Sequence, residues 1–320
     1  MKVLTVILNW RTPEMTLQSA EAALREMEGI EGTITIVDND SGDGSEEAMR
    51  KGVAARGWPE TRVRVLQSGR NGGYGAGNNF GIRAGLPGGE RPDLVYILNS
   101  DAFPDHGSIR ALVDYLARTP EAAFAGSYIH GPDGEPHTSI FRFPSVASEF
   151  EGSARLGPVT RLLSHKSVPV LTAVDSGPVD WLMGSSLMLR QDVIDQIGLF
   201  DEGFFLYFEE TDLCLRAARA GFQTHFVRES SVTHIGSAST GMKEWKRVPD
   251  YWYDSRLRYF AKNHGAAAAA AATAAHLTGG LIHRLRFRLT GRPPEDPPGF
   301  LSRMVVHHVK SAVGPSSRPQ

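Results

Sequence analysis

Four short apolar runs, separated by stretches of helical spacing, fill the first hundred residues. This alternation constrains the fold more than any other feature of the chain. Residues 3–9, 33–38, 62–67 and 94–98 read as strands. Between them, residues 14–27, about 46–56 and 76–84 carry helical patterns. Thr12-Pro13 is placed to start the first helix, and the turn cluster Asp38-Asn39-Asp40-Ser41-Gly42-Asp43-Gly44-Ser45 to cap the second. Such alternation predicts a mainly parallel sheet with helices on both faces. Ligands of such sheets bind outside the carboxyl ends of the strands, and there the sequence places Asn9, Asp38, Asn71 and Asp101.

A further helix is expected at 108–117, and regularity breaks from about Gly126. Gly131-Pro132-Asp133-Gly134 is a strong turn signal, expected to lie between two strands, and 145–174 read as a loop or a small helical insertion. Patterning returns at 179–190, then a helix at 191–197, an aromatic stretch at 200–208, a helix over about 210–220 and a strand at 223–227. The last part is helical: 243–264 is rich in Trp, Tyr and Arg, and 266–272 are seven alanines. Gly279-Gly280 and Pro293-Pro294 punctuate two basic segments.

Charge narrows the function classes. The net charge of −2 gives no support to nucleic-acid binding. It is uneven, however: from Gly265 onward the chain is +5, and the preceding body is −7. One cysteine, Cys214, excludes an internal disulfide and a Cys-rich zinc site. The amino terminus meets Trp10-Arg11 too soon for a signal peptide, and no run reaches the ~18–20 apolar residues of a membrane span. The expectation is a cytoplasmic protein.

Asn99-Ser100-Asp101 delivers a carboxylate to the sheet edge. One carboxylate plus substrate phosphates is how proteins usually hold Mg²⁺, and Mn²⁺ sites are similar; the alternative is a simple turn. Asp38 suits a base edge or ribose, or caps its own turn. Residues 70–79 form a glycine loop running into a helix, able to face a diphosphate or to serve as a flexible structural turn, with neither the dinucleotide fingerprint nor a P-loop Lys-Ser/Thr. Glu209, Glu210 and Asp212 stand at a helix start, where acids favour the dipole, and Asp212 is spaced to pair with Arg216. Glu210 faces away from the other two, towards Leu213 and Cys214, beside Phe204, Phe205, Tyr207 and Phe208. There its pKa would rise and it would serve as a base. His234 is either a structural residue or an imidazole ligand completing a metal site with Asp101.

Taken in order, these pieces resemble the inverting GT-A-fold glycosyltransferases of the large bacterial family 2 type, in its rhamnosyltransferase-like branch. The resemblance runs from about Lys2 to His264. It rests on Val6-Ile7-Leu8-Asn9-Trp10, the cluster from Val37 to Ser45, Asn71-Gly72-Gly73-Tyr74-Gly75-Ala76-Gly77-Asn78-Asn79, Leu98-Asn99-Ser100-Asp101, Trp181-Leu182-Met183-Gly184-Ser185-Ser186, and Leu199-Phe200-Asp201-Glu202 through Arg216. The resemblance implies a GT-A catalytic domain over 1–242, with a nucleotide-sugar half at about 1–128 and an acceptor half at about 129–242. A helical extension would cover 243–320.

The resemblance also implies roles. Asn9, Asp38, Asn71, Gly73, Asn79, Asn99 and Ser100 would line the nucleotide sugar, with Asp38 on the nucleobase. Asp101 would ligate Mg²⁺ or Mn²⁺, joined by His234; Asn99 replaces the first acid of the family's DxD. Glu210 matches the catalytic base, with Glu209 and Asp212 as alternates, and Trp181, Gly184 and Tyr207 would wall the acceptor. The expected reaction moves a sugar, rhamnose as the best single choice, from a dTDP- or UDP-linked donor to a glycan or lipid-linked acceptor in cell-surface polysaccharide synthesis. The basic tail suits an anionic membrane surface or a packed partner. The rivals are a sugar nucleotidyltransferase, for which Asn9-Trp10-Arg11-Thr12-Pro13 lacks the basic glycine loop, and a non-catalytic binding module.

Overall fold

In the computed structural model, which describes residues 1–170, 175–236, 246–291 and 296–313, the chain opens on the expected alternation. β1 (Val3–Asn9), α1 (Pro13–Glu26), β2 (Gly32–Asp38), α2 (Ser45–Ala55), β3 (Val63–Gln67), α3 (Tyr74–Arg83) and β4 (Leu94–Asn99) follow one another. β3, β2, β1 and β4 lie side by side, all parallel. The chain moves outward from β1 to β3 and returns to the other side of β1. The β1–β4 boundary is therefore the point of reversal, where ligands of open sheets bind.

Val3 and Ile7 pack into the core with Leu17, Ala20 and Ala23 of α1. The opposite face of β1 meets α3 through glycines: a Cβ at Gly81 would stand 2.6 Å from Val6, and one at Gly77 would overlap Leu8. The glycine loop thus continues as a helix lying close against the sheet.

The second half of the sheet is mixed. β5 (Ala102–Pro104), α4 (Ser108–Arg118), β6 (Ala122–His130) and β7 (Ile140–Phe141) come next. Two short helices follow, α5 (Val146–Ala154) and α6 (Gly157–Leu162), then β8 (Gly177–Val179), β9 (Trp181–Leu182), β10 (Ser186–Arg190), α7 (Gln191–Ile197), α8 (Glu209–Arg219) and β11 (Gln223–His234). The sheet order is β3-β2-β1-β4-β10-β6-β11-β5, with β8 on β11 and a separate β7–β9 pair. β10 is antiparallel to both β4 and β6.

Two elements exceed what the pattern suggested. β6 is alanine-rich and weak in strand signal, yet it is buried between β10 and β11. β11, expected at 223–227, runs on to His234 after a register shift between Val227 and Ser231, where the polar Arg228 and Glu229 mask its periodicity.

The residues group into two compact units. The first comprises Met1–Phe141, Val170–Phe205 and Glu209–Gly241; the second comprises Arg142–Pro169, Leu206–Phe208 and Met242–Gln320. Residues 142–169, read above as part of the acceptor half, thus group with the C-terminal helices. In the second unit α9 (Asp250–His264), α10 (Ala266–Thr290) and α11 (Phe300–Val313) pack with α5. Its core holds Val248, Tyr253, Phe300, Leu301 and Met304. Burial pushes the Glu149 carboxyl up, but Arg256 at 2.9 Å and His276 at 2.7 Å outweigh it and hold it below its usual range.

Gly279-Gly280, expected to interrupt the helices, lie inside α10. A Cβ at Gly279 would stand 2.7 Å from the Phe150 carbonyl of α5, and one at Gly280 would stand 2.8 Å from Leu301. They mark a close helix approach, the alternative use of small residues. Pro293-Pro294 lie outside the described residues.

Candidate active site

The reversal point collects the expected polar residues, and two of them are tightly bonded to one another and to the following turn. Asn9 is fully buried: its Nδ2 donates to Asp38 Oδ1 (2.7 Å) and Ser41 Oγ (3.2 Å), and its Oδ1 accepts from Thr16 Oγ1 (2.8 Å) and the Thr12 amide (3.2 Å). Asp38 also accepts from Ser41 Oγ (2.6 Å), the Ser41 amide (3.1 Å) and Gln67 Nε2 (2.8 Å). The two residues clamp the ends of β1 and β2 to the following turn. Asp38 is thereby fixed in place with its oxygens heavily used.

The glycine loop is braced in the same manner. Asn71 Oδ1 accepts from the Gly73 amide (3.1 Å) and Asn39 Nδ2 (3.0 Å). Gly73 has φ +89° and ψ −176°, a region essentially closed to side chains, and a Cβ there would overlap the Phe205 carbonyl. The next amide, Tyr74, donates to that carbonyl at 2.9 Å. Asn79 spends its amide on Phe200, accepting from its N–H (3.1 Å) and donating to its carbonyl (2.9 Å), and also reaches Glu202 (3.1 Å). It holds α3 to the 200–205 segment.

Beyond β4, antiparallel pairing sets His234 of β11 opposite Ala102 of β5. The Ile235 amide donates to the Asp101 carbonyl at 3.0 Å. His234 Nε2 therefore stands 3.1 Å from Asp101 Oδ1, with the two residues only 7% and 6% exposed. A carboxylate and an imidazole are donors that suit Mn²⁺ or a similar cation. Among the described residues no group of three or more His, Cys, Asp or Glu forms a complete cage. The pair fits a cation that takes its remaining ligands from phosphate oxygens and water.

Gly184-Ser185 ties this edge to α8. The Asn99 amide donates to the Ser185 carbonyl at 3.1 Å, and the Gly184 amide to Glu210 Oε1 at 3.4 Å. Tyr74 Oη donates to the Gly184 carbonyl at 2.7 Å, and a Cβ at Gly184 would stand 2.9 Å from that hydroxyl. The Tyr74 phenol is held well above its ordinary 10.0, chiefly by burial and further by the carboxylates of Glu210, Glu209 and Asp101. Four segments distant in sequence thus meet around one tyrosine. Tyr74 was legible only as part of the Gly-Gly-Tyr-Gly motif; its role comes from its reach across to Gly184.

The three acids of α8 separate clearly. Asp212 is fully buried and pairs with Arg216 at 2.9 Å; Arg216 in turn donates to the carbonyls of Ile197, Gly198 and Leu199. Asp212 is thus part of a brace under α8. Glu209 is buried, and burial first, then the Glu210 charge, pushes its carboxyl well up. Burial also raises Glu210, eased by its own amide and that of Gly184. Glu210 is half-buried as a residue, and its Oε2, like that of Glu209, is buried with no hydrogen-bond partner. Behind it Cys214 is a buried thiol pushed up to about 12 by desolvation, inert as a nucleophile.

Trp181 of β9 stacks on Phe141 of β7, centroids 4.3 Å apart. Ser100 is buried near Thr12, and Asn99 Oδ1 is buried with no hydrogen-bond partner. Tyr207 stands in the second unit, at φ +72° and stacked on Tyr251.

A sequence profile described as "Glycosyltransferase like family 2" matches residues 2–248. The chain belongs to this family. The glycosyltransferase is 34% identical over 226 residues to N-acetylglucosaminyl-diphospho-decaprenol L-rhamnosyltransferase of Mycobacterium tuberculosis, covering 65% of this chain and 68% of the relative. It is 28% identical over 167 residues to rhamnosyltransferase WbbL of Escherichia coli, covering 51% and 60%.

Among solved structures, mannosyltransferase PcManGT from Pyrobaculum calidifontis, in complex with GDP-Man and Mn²⁺, shares the fold with a TM-score of 0.58 at 13% identity, over 98% of this chain and 81% of that one. GalNAc-T7 with UDP, GalNAc and Mn²⁺ does so with a TM-score of 0.55 at 14% identity, over 97% and 58%. The glycosyltransferase has the GT-A fold, as the motifs implied.

Proposed function

We propose that this glycosyltransferase is metal-dependent and inverting. Its donor is a nucleoside-diphosphate sugar, with rhamnose on dTDP the best single choice, and its acceptor is a hydroxyl of a glycan or lipid-linked glycan. Cytoplasmic synthesis of a cell-surface polysaccharide is the setting that fits. The observation that carries the reading is that Tyr74 and Glu210 meet at Gly184, while the next residue, Ser185, is bonded to Asn99, two positions before Asp101. The sugar identity is supported by the rhamnosyltransferase relatives.

In this reading Glu210 is the base. Its Oε1 is oriented by the Gly184 amide, and its Oε2 is buried with no hydrogen-bond partner in the protein, which leaves its accepting capacity unused. Burial keeps its proton affinity above that of an ordinary carboxylate, which suits it to accept a hydroxyl proton. The acceptor oxygen bonds to the anomeric carbon, its proton passes to Glu210, and the bond from that carbon to the diphosphate breaks on the opposite face. Asp101 and His234 would hold the cation, whose charge offsets that developing on the diphosphate oxygens. Tyr74 holds Gly184, and through it the Glu210 carboxylate, in register.

The test is transfer from dTDP-rhamnose with Mn²⁺, reading the product's anomeric configuration by NMR. Glu210→Gln is expected to lower kcat by about 10²–10⁴-fold while leaving donor binding intact. Asp101→Ala is expected to remove the Mn²⁺-dependent part of donor binding. Retained configuration, or undiminished transfer by Glu210→Gln, would refute the assignment.

A further inference from the structure

We propose that the solvent-facing side of α10 lies on an anionic lipid bilayer surface. A helix on the surface of a soluble protein normally turns charge outward. α10 does the reverse. Residues 266–283 contain no Lys, Arg, Asp or Glu, and the exposed side carries Ala267, Ala271, Ala274, Leu281, Leu285 and Leu289. The three leucines are 63%, 60% and 80% exposed, and their four-residue spacing makes one continuous ridge. Of the helix's polar residues Thr273 and His283 are buried, while Thr278 is exposed.

Charge decides the occupant. Arg284, Arg286 and Arg288 accompany the leucine ridge, and among the described residues none has a carboxylate partner, although Arg286 donates to the Arg155 carbonyl at 2.8 Å. In the same unit Arg155, Arg256 and Arg303 pair with Asp296, Glu149 and Asp250. Arg284 Nε is buried with no hydrogen-bond partner. A second copy of this chain laid along α10 would offer these arginines no anion from α10 itself, which contains no acidic residue.

A layer of anionic headgroups supplies both what the ridge and what the arginines lack. The leucines enter the acyl boundary, and the guanidinium groups reach the phosphates. Among the described residues no helix is long and apolar enough to cross a membrane, so α10 would lie in the surface plane. The inference stands on the second unit alone and holds whatever the donor sugar proves to be.

The experiment is co-sedimentation of the full chain with phosphatidylcholine vesicles, with and without phosphatidylglycerol. Binding is expected with phosphatidylglycerol and is expected to weaken in high salt. The combined variant Leu281→Ser, Leu285→Ser, Leu289→Ser should lower partitioning at least about tenfold. Arg284→Gln with Arg288→Gln should lower it about tenfold or more, on anionic vesicles only. Unaltered circular dichroism and thermal melting of both variants show that the fold is kept. Failure of the native chain to bind phosphatidylglycerol vesicles, or native-like binding by both variants, overturns the proposal. So does a native dimer that binds no vesicles and becomes a monomer in the leucine variant, because the face then belongs to a second copy.

Discussion

Glu209 and Glu210 are adjacent in the chain but stand in different surroundings, and that difference is measurable. Glu209 is raised in the folded state, so the stability it contributes is complete below its ordinary value of 4.5 and drains as pH climbs through the raised one. Glu209→Gln should therefore raise Tm at pH 8 and change it little at pH 4, read by thermal melting at both. A Glu209 with a solvated, ordinary carboxylate would give equal shifts at the two. The sequence separated Glu210 from Glu209 and Asp212 by helical position alone, and it foresaw the Asp212–Arg216 pair. It had no means to show that Asn79 would be consumed by Phe200, because that contact joins residues 121 apart.

At the scale of elements, glycines mark where segments must touch. Gly73→Ala places a methyl against the Phe205 carbonyl in a glycine-only backbone region. It should destabilise the protein by at least about 1–3 kcal/mol, measurable by urea unfolding, whereas Gly69→Ala, at φ +76° with no atom near its Cβ, should cost less. The parallel half of the sheet was legible because its strands are short apolar runs closed by turn chemistry. β6 was legible only as a strand leading into the 131–134 turn; its extent and place were not, because alanine and glycine carry little strand preference and its position depends on β10 and β11. The continuation of β11 was hidden by its register shift, and with it the reason His234 meets Asp101. Gly279-Gly280 read as a break because glycine's two uses, flexibility and close approach, look alike in one dimension.

At the scale of the molecule, the second unit is assembled from stretches far apart in sequence. A chain ended after residue 241 would keep α5 but lose α9, α10 and α11, uncovering the surface that Gly279 approaches and leaving Glu149 without Arg256 and His276. Such a truncation should aggregate on purification, as size-exclusion chromatography would show; a monodisperse product would mean that α5 needs no cover. The same arrangement bears on synthesis. The ribosome releases α5 more than a hundred residues before α10 emerges. During that interval its apolar side has no mate, and translation must outrun mispairing or a chaperone must shield the nascent segment.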